Sequence, residues 1–175
     1  MLIGLDKNPD DFKGFTLVSY SGGISSTFEC RNLHDVQLFS SSIECSSSYK
    51  TTDKVICDFN LTNNGDSSYS VLKWNTPLND LALDGLTVSR DGEKLSPQGI
   101  RMKREDPGAS AFITIAAGET VSSKFDLSSE YDTTKTGEYT VAVDLYLEYV
   151  EGSVGSSEET ELFYLYSHAV NFQAA

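Results

Sequence analysis

The sequence has little of the material from which catalytic sites and nucleic-acid surfaces are usually built. It holds 2 histidines and 3 cysteines in 175 residues, and its 13 lysines and arginines face 26 aspartates and glutamates. The resulting net charge of −13 at pH 7 opposes binding to phosphate backbones and to anionic lipid. The composition therefore predicts that the protein does not bind nucleic acid.

Long apolar runs are also missing. No stretch approaches the roughly 18 apolar residues of a membrane-spanning helix, and the opening segment 1–5 is too short for the apolar region of a signal peptide. We therefore expect no membrane span. A secreted protein whose leader has been removed would have the same appearance.

Recognisable catalytic and metal-binding motifs are absent as well. His34 and His168 lie in dissimilar stretches, and the cysteines form no C-x-x-C pair. The sequence contains neither a G-x-S-x-G elbow, nor a phosphate-binding glycine loop, nor a D-x-D-x-D-G calcium loop. These absences favour a protein that is not an enzyme and that has no cofactor and no metal.

The sequence is instead dominated by period-two alternation in short runs separated by turn residues. This pattern is typical of an antiparallel β-sandwich or barrel. The predicted strands are residues 15–20, 36–45, 54–63, 70–74, 86–90, 99–103, 111–115, 120–126, 138–149 and 161–172. Within 138–149, residues Tyr139, Val141, Val143, Leu145 and Leu147 form one apolar face, as in a sheet with one buried side.

Gly137-Glu138-Tyr139 has the G-x-Y form of a tyrosine corner, in which the phenol bonds to upstream backbone. We predict a structural role for Tyr139 and an all-β, immunoglobulin-like antiparallel sandwich. Residues 1–35 are richer in glycine, serine and turn residues, and Ser21-Gly22-Gly23 separates two short β-like runs. The predicted organisation is an N-terminal extension or added hairpin over 1–35 and a sandwich domain over 36–175.

Cysteine spacing and one sequon point to an oxidising compartment. Cys45 and Cys57 are equidistant from Thr51, so a hairpin turning there would place them opposite each other for a disulfide. The alternative is two buried free thiols; Cys30 is then left over, either buried or paired between chains. The sequon Asn60-Leu61-Thr62 makes Asn60 a glycosylation candidate on an outward-facing position. Together these features favour an extracellular or secreted protein.

Basic residues are unevenly distributed. Five of the 13 are Arg90, Lys94, Arg101, Lys103 and Arg104, and none follows Lys135. Such a split would favour head-to-tail association or a charged partner if the two regions lie on different faces. The alternative is uneven sampling on an ordinary solvated surface.

Short motifs follow one another in order through the middle of the chain. The most specific is Leu72-Lys73-Trp74-Asn75-Thr76-Pro77-Leu78. The others occupy residues 58–65, 87–92, 101–104, 115–119, 125–128 and 137–141. Over roughly residues 41–150 this order resembles the N-terminal β-sandwich region of secreted deuterolysin-type (aspzincin) metallopeptidases.

The resemblance implies a region that precedes the catalytic domain and assists its folding or latency. The family's zinc-binding motif belongs to the catalytic part, which has no counterpart here, so no catalytic, cofactor or metal residue is carried over. Trp74 and Asp126 match family positions and are given structural roles, as core anchor and turn former. Residues 1–35 and the acidic final hairpin fall outside the resemblance, which leaves a stand-alone role open.

Three functions are compatible with these features. The first is a non-catalytic extracellular interaction module, akin to a protease pro-region or inhibitor, that binds a protein partner. The second is a self-assembling structural protein in which residues 1–35 or the last strand pair with a neighbouring subunit. The third is a carbohydrate-binding sandwich that uses exposed tyrosines, the candidates being Tyr20, Tyr49, Tyr69 and Tyr146.

Overall fold

The computed structural model describes residues 16–21, 24–29, 37–74, 76–79, 85–99, 106–154 and 160–175. The strands in these ranges are β1 (Thr16–Ser21), β2 (Ile24–Glu29), β3 (Phe39–Cys45), β4 (Ser48–Tyr49), β5 (Ile56–Asn63), β6 (Tyr69–Leu72), β7 (Leu86–Arg90), β8 (Glu93–Lys94), β9 (Phe112–Ile115), β10 (Thr120–Asp126), β11 (Gly137–Glu151), β12 (Glu161–Tyr166) and β13 (Val170–Ala174). Single 3-10 turns cover Ala109–Ala111 and Leu127–Ser129. The predicted strand at 99–103 lies almost entirely outside the described residues.

The chain divides into two compact units, residues 1–37 and residues 38–175. In the first unit, β1 and β2 pair antiparallel, with Thr16 opposite Glu29 and Ser21 opposite Ile24. The assignment of 1–35 as an extension and of 36–175 as the sandwich domain stays a prediction.

The second unit contains two sheets. One has the strand order β10-β5-β3, and the other is built around the long strand β11. Residues 139–141 of β11 pair with both β7 and β13, so these two strands flank β11 on opposite edges. Further along, β11 pairs with β12 over 144–149 and with β6 over 149–151. The prediction of an all-β sandwich is confirmed.

The core lies between these sheets and follows the predicted alternation of β11. The five inward side chains of β11, Tyr139, Val141, Val143, Leu145 and Leu147, are at most 7% exposed. On the opposing sheet, Cys57, Phe59 and Leu61 are fully buried and lie on β5, the central strand of that sheet. The apolar residues of β11 alternate with polar ones because each sheet has one buried and one solvated face, as the sequence predicts.

The ring of Phe39, on β3, reaches across to the other sheet. It is fully buried and meets Tyr69, Tyr149 and Phe163 edge-on, at centroid distances of 5.8, 5.4 and 5.5 Å. Edge-to-face contacts place the positive ring edge against the negative ring face. Phe39 therefore links β3 to the inner sides of β6, β11 and β12.

Tyr139 anchors the segment that precedes β11. Its fully buried ring stacks on Phe172 at 5.0 Å, and its hydroxyl donates to Lys135 O at 2.9 Å. Asp132 O lies 3.3 Å from the same hydroxyl. This is the backward bond to upstream backbone that defines a tyrosine corner.

The predicted single strand over 161–172 is wrong, because the structure divides it into β12 and β13. Asp144 lies opposite Tyr166, but Val141 lies opposite Val170, so one extra residue sits on the β12–β13 side. Ser167 bonds Val143 at this point, through its side chain at 2.9 Å and its backbone N at 3.2 Å. Such an insertion is a β-bulge, and it reverses which alternate residues face the core.

Candidate binding surface

The outward side of β11 and β12 carries a group of large exposed side chains. Tyr146 is 69% exposed, Leu162 65%, Tyr166 51% and Tyr164 49%. Among the described residues, the one other large apolar side chain of comparable exposure is Ile56, at 41%, on the other sheet. A contiguous apolar group of this kind on a small domain commonly marks a binding surface.

Strand register brings these side chains together. Tyr146 lies opposite Tyr164, Asp144 opposite Tyr166, and Glu148 opposite Leu162. Directly opposed residues in an antiparallel pair have Cβ atoms about 4.5–5.5 Å apart, so the side chains of each pair are in reach of each other. We call this set the tyrosine face, and it consists of Asp144, Tyr146, Glu148, Leu162, Tyr164 and Tyr166.

The three rings contact one another at an angle. The Tyr146 and Tyr164 centroids are 5.3 Å apart with planes tilted by 49°, and those of Tyr164 and Tyr166 are 6.1 Å apart with a tilt of 35°. The rings therefore form a ridged surface rather than a coplanar platform.

Asp144, at the end of this surface opposite Tyr166, is held by two donors. The Tyr164 hydroxyl donates to Asp144 Oδ1 at 2.7 Å, and Thr87 Oγ1 donates to Asp144 Oδ2 at 3.3 Å. The bond to Asp144 and the charge of its carboxylate raise the pKa of Tyr164, since ionising the phenol would place two anions together. Tyr164 thus stays a neutral hydrogen-bond donor and Asp144 an oriented carboxylate.

The electrostatic setting is one-sided. The strands β11, β12 and β13 hold no lysine or arginine. Their acidic residues are Glu138, Asp144, Glu148, Glu151 and Glu161. The tyrosine face is thus an aromatic surface with a negative potential, and its own strands carry no lysine or arginine that would neutralise this charge.

A tyrosine and a glutamate on the core side of the same two strands give a testable pH effect. Burial, together with the 2.7 Å bond to Glu161, raises the pKa of Tyr149 to about 12. In the unfolded chain this phenol ionises near its ordinary pKa of about 10, so unfolding is increasingly favoured as the pH rises from 10 to 12. Tyr149→Phe should reduce this pH-dependent loss by on the order of 1–2 kcal/mol, after allowance for solvent screening, in denaturant titrations at pH 8 and pH 11.5. An equal loss in wild type and variant would contradict the assignment.

The residues predicted from sequence lie elsewhere in the fold. Cys45 and Cys57 form the predicted disulfide between β3 and β5, with Cα atoms 4.4 Å apart. Asn60 lies on the outward side of β5, where its amide N donates to Ser42 Oγ at 3.2 Å and its Oδ1 accepts from Ser122 Oγ at 2.6 Å. Its glycosylation stays a prediction.

Trp74 is half-buried two residues after the end of β6, and its role as a core anchor stays a prediction. Asp126 precedes the turn Leu127–Ser129 and accepts a hydrogen bond from Ser128 N at 3.1 Å.

The four candidate tyrosines have different surroundings. Tyr49 and Tyr69 are half-buried against the core, where Tyr49 meets Phe172 and Tyr69 meets Phe39. The side chain of Tyr20 lies outside the described residues. Only Tyr146, of the candidates whose side chains are described, belongs to the exposed surface.

Sequence reasoning missed Leu162, Tyr164 and Tyr166. If residues 161–172 formed one unbroken strand, these three side chains would share a face with Phe172, and that face would be predicted to be buried. One signal in the sequence could have identified them. The inward apolar residues have odd numbers at Phe163 and Leu165 but even numbers at Phe172 and Ala174. Only an inserted residue between the two pairs lets all four face the core.

The part of the chain that the structure describes shows neither a cluster of metal-ligating side chains nor a membrane-crossing helix. There, no cluster of three or more histidine, cysteine, aspartate or glutamate side chains is placed to hold a metal ion. No helix in the same ranges has the length and apolarity needed to cross a membrane.

The fold and its exposed surface define an immunoglobulin-like sandwich with a candidate binding face. The chain belongs to the immunoglobulin-like domain family, whose family model matches residues 42–146. It is 27% identical over 111 residues to an extracellular protease of Aeromonas hydrophila. The aligned region covers 63% of this chain and 32% of that protease. The chain is 30% identical over 95 residues to a neutral protease 2 homolog of Coccidioides posadasii, covering 53% of this chain and 26% of that protein.

These relatives confirm the resemblance to deuterolysin-type proteases. The chain spans only 32% and 26% of the length of these two relatives. Among solved structures, a β-glucosidase of Erythrobacter marinus aligns over 78% of this chain and 15% of its own, with 12% identity and a TM-score of 0.38, which is too low to support any argument.

Proposed function

We propose that this chain is a non-catalytic extracellular module that binds a protein partner, as the resemblance to a metallopeptidase pro-region implies. The observation that carries the proposal is the tyrosine face, where four large side chains are about half exposed or more. The disulfide between Cys45 and Cys57 supports an oxidising compartment, because such bonds are rare in reducing cytosol. Relatives named as an extracellular protease and as neutral protease 2 homologs point the same way.

The size and chemistry of the tyrosine face suit the centre of a protein interface. Its exposed rings and leucine present on the order of 400 Å² of mostly apolar surface, about half of what one partner contributes to a standard interface. Tyrosine is enriched among the residues that contribute most binding energy. The hydrogen bond from Tyr164 to Asp144 already orders one ring, so binding loses less side-chain entropy.

The geometry disfavours two other uses of the tyrosine face, namely self-contact of this face and glycan binding. A two-fold contact between copies of the tyrosine face would bring Asp144 and Glu148 of each copy against the same carboxylates of the other. A flat sugar-binding platform would need coplanar rings, whereas these rings are tilted against one another by 49° and 35°. Self-assembly and glycan binding are therefore kept as outcomes of the test.

The test uses a mature zinc endopeptidase of the neutral protease 2 type as the partner. Isothermal titration with this chain should give a Kd of about 10 µM or tighter, and Tyr146→Ser/Tyr164→Ser should weaken it. Ile56→Ser serves as the matched control, because it removes an exposed apolar side chain from the other sheet and should leave the Kd unchanged.

Three outcomes would contradict the proposal. One is a titration with no heat, together with no change in peptide hydrolysis by the endopeptidase. Another is a light-scattering mass that grows with concentration for wild type and is monomeric for the double tyrosine variant, which would favour self-assembly. The third is binding confined to oligosaccharides on a glycan array.

A further inference from the structure

We infer that the tyrosine face receives a lysine- or arginine-rich segment of its protein partner. The inference rests on the proposed function, since it names the surface and the partner chemistry of the same interaction. It comes from the charges and rings of β11 and β12 and from the way they alternate.

Charge selects the sign of the partner. Asp144 and Glu148 lie on the tyrosine face, and β11, β12 and β13 supply no lysine or arginine to neutralise them. An apolar or acidic partner that covered this face would remove water from the carboxylates without replacing its hydrogen bonds, which disfavours binding. A basic partner replaces the lost water with charge-assisted hydrogen bonds.

Asp144 retains capacity for such bonds. A carboxylate offers about four lone-pair positions, and those of Asp144 accept one bond from Tyr164 and one from Thr87. These donors fix the orientation of the group while leaving other positions for a guanidinium or an ammonium. Asp144 is thus a prepared acceptor for a cation.

The rings and Leu162 suit the remainder of a basic side chain. A cation over a tyrosine ring is attracted by the negative face of the ring, and Tyr146, at 69% exposure, leaves the most room for one. The aliphatic stems of lysine and arginine pack readily on apolar surface while their charged ends reach a carboxylate. Leu162, opposite Glu148, provides such a surface.

Spacing sets the pattern of the partner. Asp144 and Glu148 are four residues apart on β11, which at about 3.3 Å per residue separates them by about 13 Å. Tyr146 lies between them. An extended segment with basic residues four positions apart, and an apolar one between, spans the same distance.

The experiment measures fluorescence anisotropy of a labelled deca-arginine peptide, with deca-glutamate as the negative probe. Non-specific attraction to a chain of charge −13 is the main competing effect, so the variants are chosen in pairs of equal charge. Asp144→Asn/Glu148→Gln should weaken the Kd about ten-fold. Glu44→Gln/Glu93→Gln removes two exposed acids from β3 and β8, with the same charge change, and should weaken it less than about two-fold.

Tyr146→Ser/Tyr164→Ser leaves the net charge unchanged and should still weaken deca-arginine binding about five-fold. Ile56→Ser should have no effect, and thermal melting verifies that each variant is folded. Equal losses in the two acid pairs, or none in the tyrosine pair, would overturn the inference, as would binding of chitohexaose but not deca-arginine to the tyrosine face.

The same variants separate this inference from the proposed function. If the mature endopeptidase binds every variant equally, the proposed function stands and the tyrosine face is refuted as its surface. If deca-arginine binds through the face and the endopeptidase does not bind at all, the partner chemistry stands and the protease-type partner is refuted.

Discussion

Replacing Phe39 by alanine is expected to lower the free energy of unfolding by about 3–5 kcal/mol. The ring is fully buried and meets Tyr69, Tyr149 and Phe163 within 6 Å. Its removal leaves a cavity between the two sheets and deletes three edge-to-face contacts at once. Guanidinium titration followed by fluorescence gives the change directly.

The consequence extends to the outward side of the same strands. Tyr149 and Phe163 lie on β11 and β12, whose opposite sides form the tyrosine face. Phe39→Ala should therefore also weaken partner binding, whereas Phe39→Leu, which retains most of the apolar volume, should have clearly smaller effects on both. A stability loss below about 1 kcal/mol for the alanine variant would show that Phe39 does not join the sheets as described.

Removal of the disulfide is the second large effect. Cys45→Ala/Cys57→Ala should lower the free energy of unfolding by about 3 kcal/mol, because the bond closes a loop with a sequence separation of 12. Cys57 is fully buried in β5, so alanine leaves no unpaired polar group there and adds only a small cavity.

Reduction provides the internal control for this variant. Adding dithiothreitol should destabilise the wild type to about the level of the double variant and should leave the double variant itself unchanged. The measurement is denaturant unfolding, with mass spectrometry to verify the state of the thiols. If mass spectrometry shows that the disulfide is reduced and the free energy of unfolding of the wild type is nevertheless unchanged, the account is contradicted.

Local periodicity was sufficient to predict β11, the disulfide and the sheet class. The alternation from Tyr139 to Leu147 determines which residues face the core, and the equal spacing of Cys45 and Cys57 about Thr51 determines their register. Asp91-Gly92 is a dipeptide that favours a tight reversal, and positive φ values of 50° and 84° there are the geometry of a two-residue hairpin turn. Each of these features depends on residues close in sequence.

Features that depend on distant pairing were not predicted. The bulge at Ser167 follows from how β12 and β13 share one edge of β11. Local alternation shows that the apolar positions change along 163–174, but it does not show where the extra residue is inserted. Asn63 is similar, because its buried amide donates to Ile115 O and Ala116 O, more than 50 residues away in sequence. The tyrosine face was missed for the same reason, since the bulge turns its β12 residues outward.

The central claim is that this module meets its partner through the tyrosine face. Hydroxyl-radical footprinting by mass spectrometry tests it directly, because oxidation of a side chain follows its exposure. With a saturating amount of mature neutral protease 2-type endopeptidase, we expect strong protection of Tyr146, Tyr164 and Tyr166 and unchanged oxidation of Ile56. Protection of Ile56 with the tyrosines still fully oxidised would contradict the claim.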